Sequence, residues 1–204
     1  MTHTLTADDL LLIRGERCLF ANLSFTVNAG ELLLLEGRNG SGKTSLLKTV
    51  AGILEPEAGE VRWNGEPVRM QRQAFLAATA WLGHRIGFKS DLTAIENLRF
   101  EASLRPVRTR DIEEALERLG VLRLKKQPLR ALSAGQQRRV AFARMLLAAA
   151  PLWLLDEPFT NLDRDGRALV TELVAEHVSD GGLCLLAAHQ DVAVDVPTQR
   201  IQLQ

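Results

Sequence analysis

The chain has 204 residues, which is enough to bury a full core in a single domain. Its 25 Lys and Arg residues balance its 25 Asp and Glu residues, so net charge gives no reason to expect a nucleic-acid partner. No apolar run approaches the ~20 residues that span a bilayer, and the polar N-terminus does not resemble a signal peptide. We therefore expect a soluble cytoplasmic chain with two buried free thiols, Cys18 and Cys184, and any membrane part must come from another subunit.

Short apolar runs along the chain predict eight strands, several of them apolar throughout, as strands covered on both faces are. Helical spacing predicts five helices, with Thr109 and Ser133 at two N-caps. The strands are expected at 10–13, 23–27, 32–36, 61–63, 80–83, 152–156, 183–188 and 200–203, and the helices at 43–51, 93–104, 111–119, 136–149 and 164–178.

The order of these elements changes along the chain. Strands and one helix mix in the first third, residues from about 88 to about 135 are helical only, and alternation then returns. This pattern predicts a single α/β domain over 1–204, with a helical subdomain inserted at approximately 88–140.

A basic cluster lies in and beside the helical region. It could be a nucleic-acid patch, but a solvated helical face is favoured because the net charge is zero. The cluster comprises Arg123, Lys125, Lys126, Arg130, Arg138 and Arg139.

Residues 37–44 fit the phosphate-binding loop pattern and follow an apolar strand directly. Glycines let backbone amides approach a phosphate closely, and the helix that starts near Lys43 adds its N-terminus. Lys43 suits the β- and γ-phosphates, and the Thr44 hydroxyl suits Mg²⁺. The residues predicted to bind nucleotide here are Gly37, Arg38, Asn39, Gly40, Ser41, Gly42, Lys43, Thr44 and Ser45.

Two carboxylates, Asp156 and Glu157, end a buried strand, where they emerge at the carboxyl edge of the sheet. Asp156 suits Mg²⁺, held directly or through water. Glu157 suits a general base, a role worth roughly 100- to 10,000-fold in rate. Lys43 and Glu157 are therefore candidate catalytic residues.

Residues 132–136, Leu-Ser-Ala-Gly-Gln, form by themselves only an N-capped helix start. Small residues at a helix N-terminus also make a second anion site. One phosphate group cannot occupy two anion sites on different subdomains, so we expect a pair of chains, each closing the other's nucleotide.

These motifs, in this order, resemble the ABC-transporter ATPase family over essentially the whole length. The resemblance implies hydrolysis of ATP with Mg²⁺, and a P-loop NTPase core of mostly parallel sheet with an antiparallel β layer and an inserted helical subdomain. It also implies a sandwich homodimer in which Ser133, Gly135 and Gln136 bind the nucleotide held by the partner's Lys43. Residues 161–163 are similar to the family's loop across that interface, which adds Asp163 to the nucleotide site. His189 matches the catalytic histidine that orients water, γ-phosphate and Glu157.

Two positions depart from the family pattern. His84 stands where a Gln is usual, and it either hydrogen-bonds a water on Mg²⁺ or is a packing variant without a ligand contact. Arg14 stands where an aromatic side chain usually stacks on adenine, and a planar guanidinium can also stack there. Phe20 is a less well-aligned substitute and is expected in the core.

Residues 81–84, 87–89 and 92–98, together with Ala134, are similar to the branch of the family that serves cytochrome c maturation. That resemblance implies a peripheral ATPase subunit on the cytoplasmic face of the inner membrane, coupled to integral permease subunits and indirectly to a periplasmic haem chaperone. Hydrolysis would drive haem export or release of haem from the chaperone. Two alternatives stay open: the ATPase of another bacterial exporter, for lipids, lipoproteins or ions, and a soluble ABC ATPase without a permease, which a short neutral chain disfavours.

Overall fold

The computed structural model describes residues 2–103, 112–189 and 192–204. The strands are β1 (Thr4–Arg14), β2 (Arg17–Asn28), β3 (Leu32–Glu36), β4 (Ala58–Trp63), β5 (Glu66–Pro67), β6 (Thr79–Leu82), β7 (Leu152–Asp156), β8 (Leu183–Ala187) and β9 (Thr198–Gln202). The helices are α1 (Lys43–Val50), α2 (Arg72–Ala77), α3 (Ala94–Ser103), α4 (Ile112–Arg118), α5 (Ala134–Ala148) and α6 (Arg164–Ser179).

A parallel sheet in the order β6-β7-β8-β3-β9 forms the centre of the fold. Every residue of β7 and β8 is buried, because both faces of the sheet are covered. Leu32 and Leu34 pack into one hydrophobic cluster with α5 and α6, whereas Leu33 and Leu35 pack into a second cluster with α1. The sheet therefore separates two cores, and continuous leucine runs are what such a sheet requires.

An antiparallel sheet in the order β2-β1-β4-β5 lies over the second cluster. Its inward side chains, among them Leu5, Leu10 and Trp63, pack in that cluster with Leu33 and Leu35 of the parallel sheet. The predicted α/β class, with a mostly parallel sheet and an antiparallel β layer, is confirmed.

The described residues between β6 and β7 form the helices α3, α4 and α5 and short 3-10 turns. One isolated β-bridge joins Thr93 and Pro128 in this region. Residues 104–111, which include the predicted cap Thr109, lie outside the described residues. Helix α5 runs beyond 140 to Ala148, so the limits of an inserted subdomain at 88–140 stay a prediction. Within the described ranges, no helix combines the length and apolarity needed to cross a membrane.

Helix α2, the two-residue strand β5 and the exposure of Cys18 differ from the sequence prediction. Helix α2 was not predicted, because six residues with only Phe75 buried are too few to show a helical period. Cys18 is exposed rather than buried, because it lies near the turn of the β1–β2 hairpin, where its cross-strand partner Ile13 is also exposed. Cys184 is buried as expected, and burial raises the pKa of its thiol.

The basic cluster does not share one environment. Lys125 pairs with Glu113 at 2.7 Å, and Arg130 and Arg139 also pair with carboxylates, as a solvated face would predict. Arg138, however, is only 4 % exposed. Placing it on a solvated face was wrong, because its position on α5 points it into the protein toward the end of β7.

Acid sensitivity is expected from His177, which stacks on Trp153 with ring centroids 4.1 Å apart. Burial lowers the pKa of His177 to about 4 from an ordinary 6.5, so the unfolded chain binds this proton first as the pH falls. The stabilising contribution is complete above pH 6.5 and is lost progressively toward pH 4. Between pH 7 and pH 5 the free energy of unfolding should fall by about 2 kcal/mol through this group.

Urea unfolding at both pH values checks this expectation. His177→Phe keeps a ring against Trp153 but cannot titrate, so its loss between pH 7 and pH 5 should be about 2 kcal/mol smaller than that of the wild type. Equal losses in the two proteins would contradict the assignment.

Candidate active site

Four of the predicted site segments meet at the carboxyl edge of the parallel sheet. His84 follows β6, Asp156 ends β7, His189 follows β8, and the loop of residues 37–42 follows β3. These four strands are parallel neighbours, so their carboxyl ends lie side by side. The sheet order thereby brings together groups that are up to 152 positions apart (residues 37 and 189) in the chain.

The loop between β3 and α1 is packed too tightly for a side chain at its first glycine. Gly37 has a φ of +147°, and a Cβ there would lie 2.4 Å from the carbonyl oxygen of Leu203 and 2.5 Å from Ser41 Oγ. The Ser41 hydroxyl is buried and has no hydrogen-bond partner among the described residues. A buried hydroxyl with spare capacity in a glycine loop fits an anion such as phosphate.

Lys43 begins α1, and its ammonium turns back into the loop. Its Nζ donates to the carbonyl oxygens of Gly37 at 2.6 Å and Arg38 at 3.0 Å. Burial lowers the pKa of Lys43, while the charges of Glu157 and Asp156 oppose that shift. The cation is therefore positioned within the loop whose bound phosphates it would neutralise.

A chain of contacts links Lys43 through His189 to Glu157. Lys43 Nζ lies 3.4 Å from His189 Nδ1, and His189 Nε2 contacts the Glu157 carboxylate. An ammonium can only donate, so Nδ1 is assigned as the acceptor and Nε2–H as the donor to Glu157. In this tautomer His189 orients the Glu157 carboxylate through Nε2–H.

The backbone at Glu157 is unusual. Its φ is +49°, in the left-handed region that non-glycine residues rarely adopt, at a cost of about 1–3 kcal/mol. Its N–H donates to the carbonyl oxygen of Ala187 at 2.9 Å, which ties it to the end of β8. The left-handed turn directs the chain away from β7 immediately after Asp156.

The Thr44 hydroxyl donates a hydrogen bond to the Asp156 carboxylate beside the loop. Thr44 Oγ1 lies 3.0 and 2.9 Å from the two Asp156 carboxylate oxygens. Asp156 is 2 % exposed, and burial raises its pKa, while the Thr44 hydrogen bond and the charge of His84 oppose the rise. A hydroxyl and a carboxylate are the hard oxygen donors that Mg²⁺ prefers, so this pair fits that ion.

Arg138 is a site residue that the sequence reasoning missed. Its guanidinium donates four hydrogen bonds to main-chain carbonyls, those of Gly83 (2.8 Å), Asp156 (3.0 Å), Glu157 (2.6 Å) and Pro158 (3.1 Å). Burial lowers its pKa to about 10, so it remains charged at neutral pH. The sequence offered one indication of this role: Arg138 lies in the first half of α5, a helix most of whose residues are buried.

The segment 132–136 forms the N-terminal end of α5. Ser133 Oγ accepts from the Gln136 N–H at 3.2 Å, and Gln136 Oε1 accepts from the Ser133 N–H at 2.9 Å, which is a capping box. Ser133 is exposed, and a Cβ on Gly135 would lie 2.7 Å from the Asn161 carbonyl oxygen. The helix end is therefore on the surface and packed against segment 161–163.

Asp163 serves as the N-cap of α6. Its Oδ1 accepts from the Gly166 N–H at 2.8 Å and from Arg139 Nη2 at 3.0 Å. These contacts, the Gly166 bond foremost, lower the pKa of Asp163 and keep it ionised. The segment predicted to lie across a dimer interface is thus anchored to α5 through Arg139.

The hairpin of β1 and β2 lies against the phosphate loop. Arg14 is exposed and pairs across the hairpin with Arg17, whose Nη1 is 3.9 Å from the position of a Cβ on Gly40. Arg17 is a second residue near the loop that the sequence reasoning missed, since no motif marks it. Phe20 is 7 % exposed and belongs to the core, as expected.

Comparison with known proteins identifies the family of this chain. The profile of the ABC transporter family matches residues 20–160. The cytochrome c biogenesis ATP-binding export protein CcmA of Vibrio cholerae is 44 % identical over 198 residues, covering 96 % of each chain. The protein of the same name from Escherichia coli K12 is 46 % identical over 190 residues, covering 93 % of this chain and 91 % of its own.

A solved ABC transporter ATP-binding protein from Pyrococcus furiosus has the same fold. Its TM-score is 0.84 at 28 % identity, with 97 % of this chain and 96 % of that chain covered. The chain belongs to the ABC transporter family of ATP-hydrolysing proteins, within the group of cytochrome c biogenesis ATP-binding export proteins.

Proposed function

We propose that this chain is the ATP-hydrolysing subunit of a membrane ABC complex that serves cytochrome c maturation. The observation that carries hydrolysis is the contact chain from Lys43 through His189 to Glu157, set beside the Thr44–Asp156 pair. The cytochrome c assignment is supported by relatives of that name, 44 % and 46 % identical over nearly the whole chain.

In this proposal the amides and side chains of residues 37–45 hold the ATP phosphates. Lys43 exchanges its two loop carbonyls for β- and γ-phosphate oxygens, to which an ammonium donates more strongly. Thr44 and Asp156 hold Mg²⁺, which would neutralise charge on those phosphates. Arg14 stacks on the base from the exposed end of its hairpin, and His84 orients a water near Asp156.

Glu157 acts as the general base in this site. It accepts a proton from the attacking water as the oxygen approaches the γ-phosphorus in line with the bond that breaks. His189 holds the carboxylate through Nε2–H and keeps its Nδ1 acceptor toward Lys43. ADP and inorganic phosphate are the products.

The arrangement is completed by a second copy of the chain. The exposed helix end at Ser133, Gly135 and Gln136 would close the nucleotide of the partner, with segment 161–163 beside it. The surface position of Ser133 and the contact between Gly135 and Asn161 support this arrangement, because both segments face outward together. Two ATP molecules would lie between two chains.

The remaining parts of the complex are integral permease subunits, contacted near residues 84–97, and indirectly a periplasmic haem chaperone. The chain would sit peripherally on the cytoplasmic face of the inner membrane. Closing and reopening of the pair would drive haem export or release of haem from the chaperone. Nucleic acid has no part in this scheme, which agrees with the balanced charge.

Co-purification tests the assignment. Tagged Glu157→Gln, solubilised with detergent from membranes in the presence of Mg-ATP, should retain the permease subunits of cytochrome c maturation, as identified by mass spectrometry. The matched control is Glu172→Gln, a change at an exposed position of α6, which should retain less because it still hydrolyses ATP and reopens.

Recovery of a different permease would leave the ATPase mechanism standing and overturn the cytochrome c assignment. Recovery of ribosomal or DNA-bound proteins without a permease would favour a non-transport ABC ATPase instead.

A further inference from the structure

Arg138 has a hydrogen-bonding pattern that helix packing alone does not require. The side chain crosses from α5 to the carboxyl edge of the parallel sheet, and all four of its bonds described above end on main-chain oxygens there. Three of these oxygens belong to the consecutive residues 156–158. Four of the five guanidinium N–H donors are accounted for by these bonds, so the group is held in one orientation.

The position of these bonds matters because Glu157 lies at the centre of the three residues. Its backbone is in the left-handed region, which the surrounding structure must enforce. Arg138 donates to the carbonyl on each side of it and to its own, while Ala187 accepts from its N–H. The turn that aims the carboxylate is therefore fixed from one side by a buried cation and from the other by β8.

The same guanidinium also binds the carbonyl oxygen of Gly83, the residue before His84. It thus joins the ends of the neighbouring strands β6 and β7 at the site. Arg138 lies on α5, whose N-terminus is capped by Ser133. The same helix therefore carries both the exposed N-terminal end at Ser133 and the side chain that hydrogen-bonds the Glu157 main chain.

We propose that Arg138 is a positioning residue for hydrolysis, which acts on the reaction only by holding the Glu157 main chain in its left-handed turn. It contacts neither phosphate nor water in this scheme. The inference rests on the proposed role of Glu157 as general base. Misplacing a reacting group by about 1 Å costs roughly 100-fold in rate, so loss of Arg138 should slow hydrolysis without weakening nucleotide binding.

A double-mutant cycle on the full chain tests the proposal, with single-turnover phosphate release from γ-labelled ATP as the readout. Arg138→Gln should lower the rate roughly 10- to 100-fold in the wild-type background. In the Glu157→Gln background the same change should lower the residual rate by less than about 3-fold, because the group it positions is already gone. The affinity for a fluorescent ATP analogue should remain within about 3-fold of the wild type in each variant.

Arg144→Gln is the matched control. Arg144 lies on the same helix and also donates to two carbonyl oxygens, those of Trp81 and Ile86, which precede and follow His84. Any fold-change in the rate of phosphate release that Arg144→Gln causes should be the same in the wild-type and Glu157→Gln backgrounds. Arg138→Lys, which keeps a buried cation, is run through the same cycle in case Arg138→Gln does not fold.

The possible results separate the two claims. An equal loss from the Arg138 change in both backgrounds, or a wild-type rate for Arg138→Gln, would overturn the positioning role and leave the proposed function intact. A wild-type rate for Glu157→Gln alone would instead contradict the general-base assignment on which both depend.

Discussion

Glu157→Gln is expected to lower the turnover number for ATP by roughly 100- to 10,000-fold while leaving ATP affinity nearly unchanged. The amide keeps the shape of the carboxylate and its place beside His189 but cannot take a proton from water. The contacts to the phosphates come from the loop and Lys43, which the substitution does not touch. Phosphate release measures turnover, and titration with a fluorescent ATP analogue measures affinity.

The variant should also accumulate as a closed pair of chains when Mg-ATP is present, because bound ATP is no longer consumed. Size-exclusion chromatography with and without Mg-ATP detects this change. Glu172→Gln, at an exposed position of α6, removes the same charge away from the site and should turn over like the wild type. If Glu157→Gln also turns over at the wild-type rate, another group accepts the proton.

Lys43→Ala removes the cation of the phosphate loop, and its main effect should be a loss of affinity for nucleotide. Charge-assisted hydrogen bonds are worth about 1.5–3 kcal/mol each, so removing an ammonium that reaches two phosphates should weaken binding by roughly 100- to 20,000-fold. Equilibrium titration at fixed Mg²⁺ measures this change. The effect should be largest for ATP and smaller for ADP, which lacks the γ-phosphate.

Lys48→Ala is the natural comparison for that variant. Lys48 lies in the last turn of the same helix, away from the loop, so its removal should leave the affinity for ATP within about 2-fold of the wild type. Unchanged affinity in Lys43→Ala, with the protein still folded, would count against the assignment of residues 37–44 as the phosphate loop.

The parts of the fold that the sequence predicted well are those whose signal is local. Strands at 32–36 and 152–156 were placed at their observed bounds, because an unbroken apolar run ends at a glycine loop in one case and at carboxylates in the other. The order of the motifs also predicted that the site residues would meet, since parallel neighbouring strands present their carboxyl ends at one edge.

What the sequence did not predict depends on contacts between distant residues. In the sequence Arg138 cannot be told from a surface arginine, because its partners at the end of β7 are distant in the chain. Arg17 belongs to no motif that would connect it with Gly40. Cys18 sits in an apolar run, but which end of a hairpin is covered by the core is decided by the pairing and packing of its strands, which composition does not encode. Helix α2 is held by the burial of a single side chain, Phe75.

The left-handed torsion at Glu157 creates a conflict between folding stability and ATP turnover at a single residue, because a carboxylate side chain is strained there but is needed for the reaction. Glycine reaches this torsion without steric cost, so selection for heat resistance alone would replace the carboxylate that the reaction requires. A protein evolving without a demand for hydrolysis would be expected to lose this acid early, before positions in either core change. The identity of residue 157 therefore offers a simple criterion, readable from sequence, for separating working ATPases from descendants that have kept the fold and given up the reaction.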